Sequence, residues 1–458
     1  MSNNKSNFLG TQKISKLLTS QSVPAVIGLL VVALYNTVDT IFIGRGVGTL
    51  ALAGVSVAMP VIMLMMALSQ TIGVGIASII SRALGANDTQ KSEHALGTFI
   101  TSVIGAGILV SVLGYFFLEP LLKLFGAIDS ILPYAFEYTR IIVFGVVTFI
   151  FVTASNNVIR AEGRAKLAMI LMMVGAVINL ILDPIFIFWL DMGVSGAALA
   201  TIISWAITGT YAFYHFVGNK SSIKFYFKNL KPRLYILKEA FAIGASSFAR
   251  QASGSLLAIV INLSLAHYGT GVAIAAFGIV NRLLMLVNMP MFGVIQALQA
   301  IVGYNYGAKS YGRVKQAISL GLKVSTTMSV VAFFILMIFT RAIAGVFTED
   351  VELVNMSVVA ARIVISFMWL WGFQLVVSGV YQSMGKAVPA FLASILPKLV
   401  LLIPAVVILP LFIGLNGIWW AFPISDLFSA FIMVFLLVKE FKILTKADQV
   451  VIDNSVVR

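Results

Sequence analysis

The sequence predicts an all-α polytopic membrane protein, with about twelve transmembrane helices in two six-helix lobes related by a parallel pseudo-two-fold axis along the membrane normal. Three observations carry this expectation. Of 458 residues, 60% are hydrophobic and only 10% are charged, with a mean hydropathy of +1.02. Soluble domains carry about 25% charged residues. Apolar stretches able to cross about 30 Å of hydrocarbon, roughly 20 residues each, recur about twelve times. The second half also repeats landmarks of the first at a nearly constant offset.

The apolar runs begin near residues 22, 51, 95, 133, 166, 194, 238, 272, 314, 354, 388 and 415. Polar breaks such as "SRALGANDTQKSEH", "RAEGRAK", "NYGAKSYGRVK" and "RAIAGVFTEDVE" separate them. No strand-like alternation survives at this scale, so every span is expected to be helical. The polar start, "MSNNKSNFLGTQKISKLLTSQS", precedes an apolar run too long for a cleaved signal, which is read as the first span.

Orientation follows from lysine and arginine. Lys5, Lys13 and Lys16 precede span one, Arg82 and Lys91 follow span two, and Arg160, Arg164 and Lys166 follow span four. Lys220, Lys224, Lys228, Lys231, Arg233 and Lys238 follow span six. Lys309, Arg313, Lys315 and Lys323 follow span eight, Lys386 follows span ten, and Lys439, Lys442, Lys446 and Arg458 close the chain. The opposite loops hold Arg45, Lys123 and Arg341, and adding Arg140 and Arg362 leaves the bias lopsided. Both termini are therefore expected on the cytoplasmic side of a cytoplasmic (inner or plasma) membrane. The formal net charge of +14 is then a topology signal facing anionic lipid, not a nucleic-acid footprint.

The repeat is collinear. "RALGAND" matches "YNYGAKS", with Gly85 on Gly307 (307 − 85 = 222). "AEGRAK" matches "SMGKAV" (385 − 163 = 222), "YTRIIV" matches "AARIVI" (362 − 140 = 222), and "GVSGAALA" matches "GLNGIWWA" (414 − 193 = 221). One glycine match would mean nothing; four at one spacing indicate duplication. An even number of spans per half makes the repeat parallel. The expected division is an N-terminal lobe over 1–218, a basic cytoplasmic linker over 219–237, a C-terminal lobe over 238–440 and a cytoplasmic tail over 441–458.

Three acids sit deep in apolar runs: Asp39, Asp183 and Asp426. A carboxylate at membrane depth is costly and normally faces a bundle interior or an aqueous cavity. "YNTVDT" puts Tyr35, Asn36 and Asp39 on one helix face, and Asn179 and Asp183 are likewise one turn apart. Pro184 has no N–H, so the carbonyl of Leu180 loses its helical partner. Asn156 and Thr201 could reach the same region. At the repeat offset Asp39 corresponds to Ile261, Asp183 to Ala405 and Asn179 to Leu401, so this polar set exists only in the first half. A cation or proton site explains that asymmetry; a buried hydrogen-bonded pair that fixes packing is the competing explanation.

Elsewhere Asp426 shows no partner on its own face, and Lys398 could pair with it. Arg250 and Arg282 could line a cavity or hold backbone carbonyls. Candidate substrate contacts are Asn36, Met66, Gln70, Met172, Met173, Arg250, Met285 and Met289; methionine offers a pliable apolar surface, though it is also common in membrane helices. Cysteine is absent, and His94, His215 and His267 are scattered, so no metal cluster is expected. No phosphate loop, zinc-ligand pair or nucleophile elbow occurs. The chain is not read as an enzyme, and transport would be secondary, driven by an ion gradient.

"NTVDTIFIG", "ISRALGAND", "RAEGRAK", "GVSGAALAT" and "QAIVGYNYGAK" together resemble the multidrug and toxic compound extrusion (MATE) family over nearly the full length. Within it the chain looks closest to the DinF-like branch. The resemblance implies a twelve-helix antiporter that exports amphipathic, often cationic, compounds in exchange for H⁺ or Na⁺, through a V-shaped cleft between lobes. The family's first-lobe carboxylates fall on Asp39 and Asp183, and its supporting polar groups on Tyr35, Asn156, Asn179 and Thr201. The NorM-like branch adds acids in the seventh and tenth helices, where "SSFARQASGS" and "WGFQLVVSGV" offer Arg250 or Gln251 and Trp371 instead.

The expectation is a proton-coupled multidrug antiporter working by alternating access, with Pro24 a flex point of the first helix. It would need no cofactor beyond the coupling ion, act as a monomer, and meet small-molecule substrates and membrane lipids. Na⁺ coupling is one alternative, and a lipid-linked oligosaccharide or polysaccharide flippase of the same architecture is another. A membrane-embedded enzyme and a structural scaffold fit less well.

Overall fold

The computed structural model describes residues 6–218 and 220–456; Lys5 and Arg458, counted above with the basic loops, lie outside the described residues. Among the described residues, ten helices are long and apolar enough to cross a membrane, and twelve when two bent pairs each count as one span. In chain order they are α1 (Ile14–Gly46), α2 (Thr49–Gly85), α3 (Thr89–Leu124), α4 (Leu132–Phe144 with Val146–Ala161), α5 (Ala165–Trp189) and α6 (Gly193–Val217). The second set is α7 (Leu234–Tyr268), α8 (Gly271–Gly307), α9 (Tyr311–Phe347), α10 (Val351–Val364 with Met368–Ser383), α11 (Ala387–Ile413) and α12 (Leu415–Val456). Helices are the spanning structure expected here, because a lipid-facing backbone must satisfy its hydrogen bonds within its own segment.

The duplication is visible in the backbone itself. Left-handed residues at helix boundaries recur in register: Asn87 (φ 56°) and Lys309 (φ 55°), Gly163 (81°) and Gly385 (75°), Gly193 (55°) and Gly414 (59°). The fourth span of each set breaks at its middle, by 62° in α4 and 47° in α10. Local capping is conventional. Asp88 accepts from the Lys91 N–H at 2.8 Å to start α3, and Asp350 accepts from Glu352 and Leu353 to start α10.

The two sets meet at one end. A Cβ on Gly85 would stand 1.9 Å from the carbonyl oxygen of Tyr304, and one on Gly307 would stand 2.0 Å from that of Arg82. Residues 82 and 304 are themselves repeat partners, so α2 and α8 touch through a reciprocal, two-fold contact that only glycine permits. Ser78 donates to the Gln382 carbonyl and Ser81 to the Ala300 carbonyl, while Arg82 and Lys91 pair with Glu239 at 2.9 and 3.1 Å. Arg313 ties in the N-terminal segment through the carbonyls of Leu9 and Gln12. Among the described residues, the hydrogen bonds and ion pairs joining the lobes gather at this end, where the basic loops lie. Such contacts through small residues and polar groups are what hold helices together when lipid removes the hydrophobic drive.

The stretch between α6 and α7 is anchored. Glu162 is fully buried and accepts from the Ser221 hydroxyl at 2.7 Å and the Ser222 N–H at 3.1 Å, and the Arg233 N–H donates to Thr98. At its C-terminus the chain runs on past 441 as the helix α12, and Asp448 fixes it to the start of α9 through Lys315 and the Gly312 N–H.

Candidate functional site

α5 supplies the first half of the site. It stays α-helical through Pro184 and then widens into a π-helical turn over Ile185–Trp189. The missing proline N–H is thus absorbed by a change of helix type, a device that recurs at functional positions. One turn before it, the Asn179 amide donates to Asp183 Oδ1 at 3.2 Å and to the Thr201 hydroxyl of α6 at 3.3 Å. Asp183 is 0% exposed and Asn179 is buried.

α1 supplies the second half. It is one uninterrupted helix through Pro24, and it presents Asp39 to Asp183 so that the two side chains lie within hydrogen-bonding reach. Tyr35, one turn back on the same face, stands close enough to interact electrostatically with both acids. Among the described residues, neither acid has a lysine, arginine or histidine ion-pair partner. Asp39 Oδ1, Asp183 Oδ2 and Asn179 Oδ1 are buried without a donor. Two facing carboxyl groups with three orphaned acceptor oxygens can take up a proton or a small cation, since buried acceptors need a partner.

Five of the six expected members, Tyr35, Asp39, Asn179, Asp183 and Thr201, come together in this way. Asn156 spends its amide N–H on the Val152 carbonyl of its own helix and is not bonded to the pair. One member was missed: Tyr138 of α4, buried and within electrostatic range of Asp39, Tyr35 and Asp183. Its stretch "EYTRI" is polar and lies in the first half of α4, before the bend.

The second lobe holds a different polar group. Asp426 Oδ2 accepts from the Trp371 indole N–H at 2.7 Å, and the Gln374 amide donates to the Asp426 carbonyl. Lys398 lies in the π-helical stretch Leu396–Leu402 of α11 and interacts electrostatically with Asp426 and with Arg250. The expected Lys398–Asp426 pairing is therefore looser than a contact ion pair, and the partner of Asp426 comes from α10. Arg250 stacks over the Phe292 ring, and Arg282, exposed, over that of Phe347.

The substrate candidates are more scattered. Asn36, Met66, Met173 and Met285 are exposed, and Met289 is partly so. Gln70 accepts from Asn157 at 2.9 Å, linking α2 to α4. The Met172 sulfur packs against Gly28 of α1 and approaches Arg160 at 3.9 Å.

Known proteins share this architecture. The MatE family model matches the chain twice, over residues 24–185 and 247–408. The matches are offset by 223 residues (247 − 24), one more than the repeat spacing read from the landmarks. The multidrug export protein MepA of Staphylococcus aureus (strain MSSA476) is 29% identical over 427 residues, which cover 93% of this chain and 94% of MepA. A MATE transporter solved in its bent conformation superposes with a TM-score of 0.92 at 26% identity, over 98% of this chain and 100% of its own. A MOP superfamily transporter from Pyrococcus furiosus, described as having a binding pocket of reversed polarity that suggests a different function, reaches 0.90 at 26% identity, over 96% and 98%. With two family matches along one chain and a full-length fold in common, this multi-pass membrane protein belongs to the MatE family, a family of transporters and not of enzymes.

Proposed function

We propose that the chain is a multidrug efflux antiporter of the cytoplasmic membrane that exports amphipathic, cationic compounds in exchange for protons. The observation that carries the reading is the contact between Asp39 and Asp183 in a buried site that holds no basic partner among the described residues. Acceptor can bond to acceptor only through a shared proton, and two such groups titrate as a unit. The export function is supported by the likeness to MepA.

In this reading the basic-loop end faces the cytoplasm with both termini, and the lobes, joined there, leave the opposite side for release. A proton arriving from outside occupies the Asp39–Asp183 pair and removes its charge, which weakens the hold on a cationic substrate. Loss of the proton toward the cytoplasm restores that hold. The ion drives the cycle only through its different affinity for the two lobe arrangements. The chain works as a monomer and follows the DinF-like pattern, with its coupling groups confined to the first lobe.

Na⁺ coupling is the second reading, favoured by the three orphaned oxygens, which would suit a small cation. Export of a fluorescent organic cation from vesicles, with ΔpH and a Na⁺ gradient imposed separately, decides between them. Proton coupling predicts export under ΔpH alone; export under Na⁺ alone overturns it.

A further inference from the structure

At the seam between the lobes lies a narrow, partly open cavity. The first lobe lines it with Ser78, Asn157 and Arg160, and the second with Gln296, Gln299 and Gln382. Arg160 belongs to the basic "RAEGRAK" stretch and would be expected in a solvated loop. It is instead 7% exposed, in the last turn of α4.

Most of the cavity's polar groups are satisfied. Gln299 donates to Gln382 Oε1, Gln382 to the Ser246 hydroxyl, and Asn157 to Gln70. Two groups are not. The Nε of Arg160 and the Oε1 of Gln296 are buried without a partner, and they come from opposite lobes. The one hydrogen bond of Arg160 goes to the Met172 sulfur at 3.9 Å, and no ion pair reaches it among the described residues. Glu162, two residues on, is committed to Ser221, Ser222 and His215. The carbonyl end of α4 offsets part of the guanidinium charge, but it gives Nε no acceptor. A buried, uncompensated charge is costly. The Gln296 amide stands with its oxygen unpartnered; its two ends are nearly alike in shape, and turned about it offers a second donor.

We propose that this cavity binds a small inorganic anion of the size and charge of chloride, held by the Arg160 guanidinium from one lobe and the Gln296 amide from the other. The narrow space and the absence of a carboxylate in its lining exclude a cation and an extended organic anion. Because the two donors sit on different lobes, the anion binds only while the seam is closed and therefore favours the arrangement described here. That conformational consequence rests on the alternating-access reading above; the binding itself does not, and neither depends on which ion drives export.

The test uses purified full-length protein in detergent, with its unfolding midpoint followed in sodium chloride and in sodium gluconate at equal ionic strength. Chloride is expected to raise the wild-type midpoint saturably by several degrees, while Arg160→Gln and Gln296→Ala, compared with their own gluconate midpoints, lose most of the rise. Equal wild-type midpoints in the two salts, or an undiminished chloride response in Gln296→Ala, would overturn the proposal in favour of a water-filled cavity. Should Arg160→Gln fail to fold, crystals of the wild type grown in sodium bromide give a direct reading. An anomalous peak between Arg160 and Gln296 is expected there, and an empty map contradicts the site.

Discussion

Equivalent positions in the two lobes carry opposite chemistry. In the first, Asp39 faces Asp183, with Asn179 bridging to Thr201. In the second, the repeat partners are Ile261, Ala405 and Leu401, and Ile261 is buried in an apolar core with Leu257, Leu265 and Val406. The second lobe keeps an acid elsewhere, Asp426, but meets it with an indole N–H and with the built-in cation of Lys398. One lobe therefore has facing acids with no basic partner among the described residues, while the other sets a lysine of the chain within electrostatic range of its acid. A duplicated scaffold needs two matching halves to form its seam, as Gly85 and Gly307 show, whereas the facing acids without a basic partner occur, among the described residues, in one half alone.

Copying the first lobe's acid into the second tests this difference most severely. Ile261→Asp should be destabilised by about 3 kcal/mol, the order of cost for an aspartate at membrane depth without a partner, and lose most folded protein in a detergent unfolding assay. A variant as stable as the wild type would mean that the second lobe retains a usable site. The seam comes next. Gly307→Ala places a Cβ against the Arg82 carbonyl, and overpacking of this kind costs about 1–3 kcal/mol. Cysteines introduced at the basic-loop end should then react faster with a water-soluble thiol reagent, which is clean because the chain has none of its own; unchanged reactivity would remove the two-fold contact from the closing device.

Smaller effects sharpen the assignment within the first lobe. Asn179→Ala removes a donor to Asp183 and Thr201; hydrogen bonds to charged groups are worth about 1.5–3 kcal/mol. Export should fall about tenfold or more yet stay above background, whereas complete loss would make Asn179 an ion ligand in its own right. Arg282→Ala, in the other lobe, loses an exposed cation–π contact worth about 0.5–1 kcal/mol. It should leave export within about twofold, and a larger loss would give the second lobe a part in coupling.

The spans were legible because membrane thickness fixes their length, and most helices start within a few residues of the expected positions. The first begins at Ile14, well before residue 22, because helix continues beyond the apolar run: Leu17 and Leu18 are buried despite their polar neighbours Lys13, Lys16 and Ser20. The breaks within α4 and α10 carry no proline at the hinge and left no mark in hydropathy. Asp39 and Asp183 stood out because the repeat lacks them, and Asn179 because it lies one turn away. Tyr138 and the Trp371–Asp426 bond depend on which helices touch, which periodicity within one helix does not report. Arg160 was hidden for the opposite reason, since its basic neighbours look like a solvated loop.

The central claim is that the Asp39–Asp183 pair carries the coupling ion, and the most direct test measures ΔpH-driven export of a fluorescent cation by wild type and Asp39→Asn in Na⁺-free vesicles. The account predicts robust export by the wild type and background rates for the variant at equal amounts of folded protein. Near-normal export by Asp39→Asn would contradict it.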